Sequence, residues 1–310
     1  MLCAPVVNAQ DDERDDETVE EIVVTGSRLT RRDFSSPSPI VTIDREALAA
    51  SGQATLEETL NQMPQVAPDF GRTSNNPGDG TARINLRGLG AGRTLVLLNG
   101  RRLAPSGIGG AVDVNNLPKA LVERVEVTTG GATTVYGSDA LAGVVNFITR
   151  NDFDGFGVDT STYVTEAGDS NIFDINVTYG HNFADGRGNL TLYGGYYDRE
   201  PTFASERAFT RVTIADTFEG SVVETGSSVI PAGNVFFPQV DLGNPSAASR
   251  SYFDLRIGYR INDRIHARLS VSNLTNTDAP LMTTAWSTNT DTQLYDVFGR
   301  SYTFSLAMEF

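Results

Sequence analysis

The chain has 310 residues, 39% of them hydrophobic, with 30 glycines and a formal net charge of −15. This composition excludes a disordered chain, permits one large or two modest cores, and argues against a nucleic-acid partner. No apolar stretch approaches the roughly 20 residues of a membrane-crossing helix, so a membrane role would require a closed β-barrel.

Residues 1–9, MLCAPVVNA, lack a basic opening and are too short for a whole signal peptide. The small residues before Gln10 have the look of a cleavage site, so the stretch reads as a signal-peptide remnant, with an ordinary disordered terminus as the alternative. Cys3 is the only cysteine, and without it a disulfide framework and cysteine-based zinc sites are excluded. Residues 10–33 form an acidic tail: positions 10–21 hold eight acids against Arg14, too polar to offset the entropy of ordering. Ile22, Val23, Val24 and Thr25 then stand out as a β-prone run on a flexible leash. Such a run suits strand addition to the edge of another sheet, or opens a domain.

Residues 34–150 read as one compact α+β unit. A strand over 39–43 leads to a helix capped by Asp44, running through Ala50 and closed at Gly52. Thr55 and Glu58 have the spacing of a capping box for a second helix that stops before Pro64. A surface loop over 71–80 precedes a strand over 83–87, a glycine turn, a strand over 94–98 and the hairpin pair Asn99-Gly100. A second loop spans 104–110, Pro118 sits where a helix can start, and strands cover 122–128 and 143–150, separated by Gly130-Gly131.

In residues 151–310 the pattern changes. Phe253, Leu255, Ile257, Tyr259 and Ile261 alternate with Tyr252, Asp254, Arg256, Gly258 and Arg260, and the same rhythm returns over 264–271 and 301–310. One apolar and one polar face in segments of about ten residues fit lipid outside and a wet lumen inside, or a soluble sandwich with the apolar face inward.

The segments EIVVTGSR, LRGLGAGRTLVLLNGRR, LVERVEVTTGGATTVYGSDALAGVVNFITR and YDVFGRSYTFSLAMEF, in this order, resemble a TonB-dependent outer-membrane receptor. The resemblance implies an α+β plug domain followed by antiparallel transmembrane β-barrel strands, the cell outer membrane of a Gram-negative bacterium, and energised uptake of a scarce solute without enzymatic turnover. It implies that Glu21, Ile22, Val23, Val24 and Thr25 bind the TonB C-terminal domain. Arg87, Gly88, Asn99, Gly100, Arg101, Gly130, Gly131, Tyr136 and Gly137 are its structural plug positions; Arg87 and Arg101 resemble arginines that pair with barrel glutamates. Phe310 matches the ending read by the outer-membrane insertion machinery. Ligand contacts would lie on apical loops, at Arg72, Asn75, Asn76, Asp79 and Ser106, for a metal chelate, a cobalamin or an oligosaccharide.

Arithmetic opposes a complete barrel. The 160 positions after residue 150 allow about six to eight crossings, and so small a barrel is filled by its own side chains. Six strands are legible, near 155–164, 172–181 and 189–197 and three within 251–310, around a probable junction at 199–250 that shows no clear alternation. The reading is therefore an incomplete barrel lacking its central strands. A non-transporting periplasmic plug-type module that engages TonB or another sheet edge is the alternative function.

Other motifs carry less. The glycines of RGLGAGR precede a strand and no helix, which leaves no seat for a dinucleotide phosphate. Two histidines, His181 and His266, give no metal site or catalytic triad, and no cofactor is expected.

Overall fold

The computed structural model describes residues 40–74, 78–107, 109–130, 132–184, 187–203, 206–207, 209–211, 213–216, 222–225, 249–281 and 295–310. The acidic tail, the segment Glu21 to Thr25, Asn75, Asn76 and Gly131 lie outside the described residues.

Strand β1 (Ile40–Asp44) passes directly into helix α1 (Arg45–Ala50), and the Asp44 carboxylate accepts from the Ala47 amide at 2.8 Å, which caps the helix as expected. Helix α2 (Leu56–Asn61) buries Leu56 and Leu60, but the expected capping box does not form. Thr55 makes no side-chain cap bond, and Glu58 instead accepts from Arg72 Nε at 2.8 Å, a charge-assisted bond that outcompetes a neutral amide. Strands β2 (Val66–Ala67) and β3 (Asn85–Leu86) form a small antiparallel pair. The strand expected over 83–87 shrinks to two residues because Arg87 (φ 57°) and Gly88 (φ 68°) turn the chain.

Strand β4 (Thr94–Leu98) joins β5 (Arg101–Arg102) through Asn99 (φ 50°) and Gly100 (φ 75°), the left-handed pair that a tight hairpin requires. Pro118 opens a single 3-10 turn, Lys119–Leu121, rather than an α-helix. Strand β6 (Val122–Thr129), helix α3 (Thr133–Tyr136) and strand β7 (Gly143–Thr149) complete the unit. The sheet order is β1-β6-β7-β4-β5, with β4 and β7 parallel. The apolar run of β4 is explained by burial on both faces: Val96 packs with Leu48, Leu60 and Phe147, while Leu95 and Leu97 pack with Ala132, Ala140 and Tyr136.

Gly143 sits where this sheet is tightest. Its φ is 146°, and a Cβ there would lie 2.3 Å from the Thr128 carbonyl oxygen and 2.9 Å from Leu86 Cδ1. Gly143→Ala is expected to cost about 2 kcal/mol through combined backbone strain and overlap, read as a lower urea midpoint of residues 34–150.

Six longer strands follow in a second sheet, with a separate short hairpin between them. They are β8 (Gly155–Thr165), β9 (Ile172–Phe183) and β10 (Gly188–Arg199), the hairpin β11 (Thr213–Asp216) and β12 (Val222–Thr225), then β13 (Leu255–Asn262), β14 (Ile265–Ser272) and β15 (Ser301–Glu309). Among its described residues the stretch 199–250, read as having no alternation, holds one short ribbon, β11 with β12, that is paired with neither of the two larger sheets. The large sheet runs β10-β9-β8-β15-β14-β13, antiparallel throughout, so the first long strand pairs with the last. Among the described residues it is open, with β10 and β13 as unpaired edges.

Its two faces decide between the sandwich and the barrel. Leu255, Ile257, Tyr259 and Ile261 are 44%, 51%, 69% and 53% exposed, and Phe173, Ile175, Val177 and Tyr179 of β9 are exposed as well. On the opposite face of the same sheet, Thr178, Ser270, Ser301 and Thr303 are buried. The apolar rows face outward and the polar rows face the α+β unit, the inverse of a soluble sandwich.

Candidate functional site

The polar wall of β8 and β15 is where the α+β unit is held. Arg45 Nη1 donates to Glu309 Oε1 at 2.6 Å and its Nη2 lies 3.7 Å from Asp159 Oδ2, while Arg150 Nη1 donates to the same Glu309 oxygen at 3.2 Å. Because Glu309 and Arg45 are partly solvated, each pair is worth at most about 1 kcal/mol; its value is in fixing orientation.

A second, drier anchor lies higher on the wall. Arg72 pairs with Glu58 at 2.7 Å through Nη2, and its guanidinium stacks between the rings of Tyr163 (4.4 Å) and Phe298 (4.3 Å), which meet edge to face. Burial opposes the charge of Arg72, but Glu58 and Tyr163 hold its pKa above the usual value. Burial, reinforced by the adjacent Glu58, pushes the Glu57 carboxyl up.

Between these anchors a cavity of about 310 Å³ separates the unit from the wall, lined among others by Arg45, Lys119, Asp159, Asp174, His266 and Arg268. Lys119 Nζ donates to the Gln53 carbonyl at 3.0 Å, and burial of the ammonium lowers its pKa to about 8. Below pH 8 Lys119 is charged whether the chain is folded or unfolded, and the full desolvation cost opposes folding. From about 8 to the ordinary 10.5 the folded chain releases the proton first, so stability rises with pH. Denaturation of the natively isolated chain, with no refolding step, should show this rise in the wild type, and Lys119→Met should remove it.

The sequence-predicted residues fall into separate groups. Asn99 is pinned to β7: its Nδ2 donates to Thr149 Oγ1 at 2.8 Å and its Oδ1 accepts from the Thr149 amide at 2.9 Å, while the Gly100 amide donates to Asn146 Oδ1 at 2.9 Å. Gly130 and Gly137 have positive φ, and Tyr136 packs on the smaller apolar cluster. Arg87 and Arg101 are exposed and form no ion pair among the described residues; the plug arginines that reach a barrel glutamate are Arg45 and Arg150. Arg72 is turned inward, away from the loop surface on which it was placed as a ligand contact. Asp79 is exposed and accepts from Thr81 Oγ1 at 2.6 Å and from Arg83, and the bonds from Thr81 lower its pKa; Ser106 closes its loop on the Ala111 carbonyl. Phe310 exchanges two backbone hydrogen bonds with Phe156, of 2.7 and 2.9 Å, and leaves its ring exposed.

A plug docked on the polar wall of an outward-apolar antiparallel sheet defines a plug-and-barrel protein. Residues 32–144 match the family model of the TonB-dependent Receptor Plug Domain, so this part of the chain is similar to the plug of such receptors. Similar solved structures include the siderophore receptor PirA from Acinetobacter baumannii (19% identity, TM-score 0.45, 75% of this chain and 31% of that one). Others are a mutant of the ferric enterobactin receptor PfeA from Pseudomonas aeruginosa (19%, 0.47, 88% and 38%) and the ferric citrate transporter FecA (19%, 0.45, 77% and 31%). The chain spans about a third of the length of these structures.

Proposed function

We propose that this chain serves energised uptake of a scarce solute, in an internally shortened form that keeps the TonB handle, the plug and the two ends of the barrel. The observation that carries this reading is the pairing of β8 with β15 while plug arginines grip Glu309 on the last strand. A chain built only to bind in the periplasm has no use for a lipid-facing row on every long strand. Glu21 to Thr25 would pair with the TonB C-terminal domain by strand addition, and Phe310 would be read by the outer-membrane insertion machinery. The solute, a metal chelate, a cobalamin or an oligosaccharide, would rest on the apical loops around Asn75, Asn76, Asp79 and Ser106.

The open edges favour a second reading, a plug-type module that engages TonB or another sheet edge without transporting. Membrane fractionation of the native host separates the two. The receptor reading expects the chain in the outer-membrane fraction; a chain found only in the soluble periplasm, still captured by TonB, would establish the module.

A further inference from the structure

Helix α2 carries two adjacent carboxyl groups that meet very different surroundings. Glu58 holds Arg72 through one oxygen, Oε1, which lies 2.8 Å from Nε and 2.7 Å from Nη2. Glu57 is only 3% exposed, and its Oε1 has no hydrogen-bond partner. The loop that begins at Gly71 lies directly on it, since a Cβ at Gly71 would stand 3.4 Å from Glu57 Oε1. Beside it Thr55 Oγ1, Glu58 Oε2 and Arg72 Nη1 are also buried without a partner. Buried polar atoms left in this state need a physical reason. With both carboxyls ionised, the Thr55 hydroxyl is the one hydrogen among the three oxygens, and acceptors outnumber donors. A proton on Glu57 adds a donor and leaves Glu58 and Arg72 as a balanced pair.

We infer that Glu57 is a proton-operated latch between the α+β unit and the polar wall. In its neutral form it stays sealed under Gly71 with Arg72 stacked on Tyr163 and Phe298; in its ionised form it admits water, which frees the start of the 71–80 loop and loosens that stack. This regulation goes beyond the uptake reading and requires neither TonB nor a solute.

An ionised Glu57 would place a second negative charge beside Glu58, where Arg72 can balance one, and an uncompensated buried charge is costly. The other groups facing the pair are Lys119 from the 3-10 turn, Tyr163 of β8 and Tyr197 of β10, while Asp296 acts on Arg72. Lys119 is a further cation in reach, but Asp174 pulls on it more strongly than Glu57 does. Burial, reinforced by Glu58, therefore raises the Glu57 pKa above its ordinary 4.5 in the closed form. Closing takes up a proton, so the closed form is fully favoured below 4.5 and loses ground as pH rises through the raised value.

Hydrogen exchange of the natively isolated full chain, followed by mass spectrometry, tests this at residues 70–74. There the Ser74 amide donates to the Gly71 carbonyl at 3.1 Å and the Gly71 amide donates to Ser74 Oγ at 2.9 Å. Protection is read as a ratio to that of β4, which cancels the intrinsic pH dependence of exchange. In the wild type the ratio should fall about tenfold between about pH 5 and about pH 7.5, below the window in which Lys119 titrates. Glu57→Gln keeps the shape without the charge and should hold the acid-side ratio throughout. Arg72→Met should give the low ratio at every pH. A flat wild-type profile overturns the inference, as does Arg72→Met with wild-type protection in acid. So does a Glu57→Gln chain that keeps the wild-type slope, which would assign the titration to His266 or Asp174 on the wall.

Discussion

Refolded alone in detergent, the chain should give no heat-modifiable species and no channel conductance. The open edges β10 and β13 are 12 and 8 residues long. Alternate residues point their amide and carbonyl outward, so about ten donors and as many acceptors would be unpaired at bilayer depth. At several kcal/mol each this amounts to tens of kcal/mol, against a domain stability of about 5–15 kcal/mol. The apolar outer rows cannot offset such a deficit, and the expected products are aggregates or chain left outside the membrane. A compact species with conductance would show that β10 and β13 close on each other and that the edges are not free.

The second large effect belongs to the plug core. Residues 34–150 should fold alone and give well-dispersed amide spectra, because one cluster uniting α1, α2, β3, β4, β6 and β7 supplies their core. Phe147 is the largest of the fully buried side chains, and truncation to alanine leaves a cavity that the surrounding Leu48, Leu60 and Val125 cannot fill. Phe147→Ala should cost about 3–5 kcal/mol, most of the stability of a domain this size, and collapse the spectrum. Retention of a dispersed spectrum and a wild-type urea midpoint would place the core elsewhere.

The parts of the fold that the sequence made legible are those written in local chemistry. The Asp44 cap, the Asn99-Gly100 hairpin and the alternating rows of β13, β14 and β15 each depend on neighbours a few positions apart. What alternation left open was which face turned inward, and that was decided by distant partners. Arg45 and Glu309 are 264 residues apart, so no local pattern reveals their bond, although Glu309 was visible as the one acid in the inner row of the last strand. The capping box misled for the same reason: Glu58 has the right spacing to Thr55, but Arg72 reaches it from a loop. Arg72 itself looked like a surface contact because its loop is polar, and Glu58 together with Tyr163 and Phe298 from the barrel side draws it inward.

The proposal that TonB drives this chain rests on the segment EEIVVTGSR, and calorimetry with the TonB C-terminal domain tests it most directly. Proline at position 23 removes an amide donor and fixes φ near −65°, which interrupts strand addition in the middle of the run, while Val23→Thr keeps the donor. A peptide covering residues 17–32 should bind in wild-type form, weaken only a few-fold with Val23→Thr and lose measurable binding with Val23→Pro. Undiminished affinity of the proline variant, or no binding by the wild-type peptide, would contradict the account.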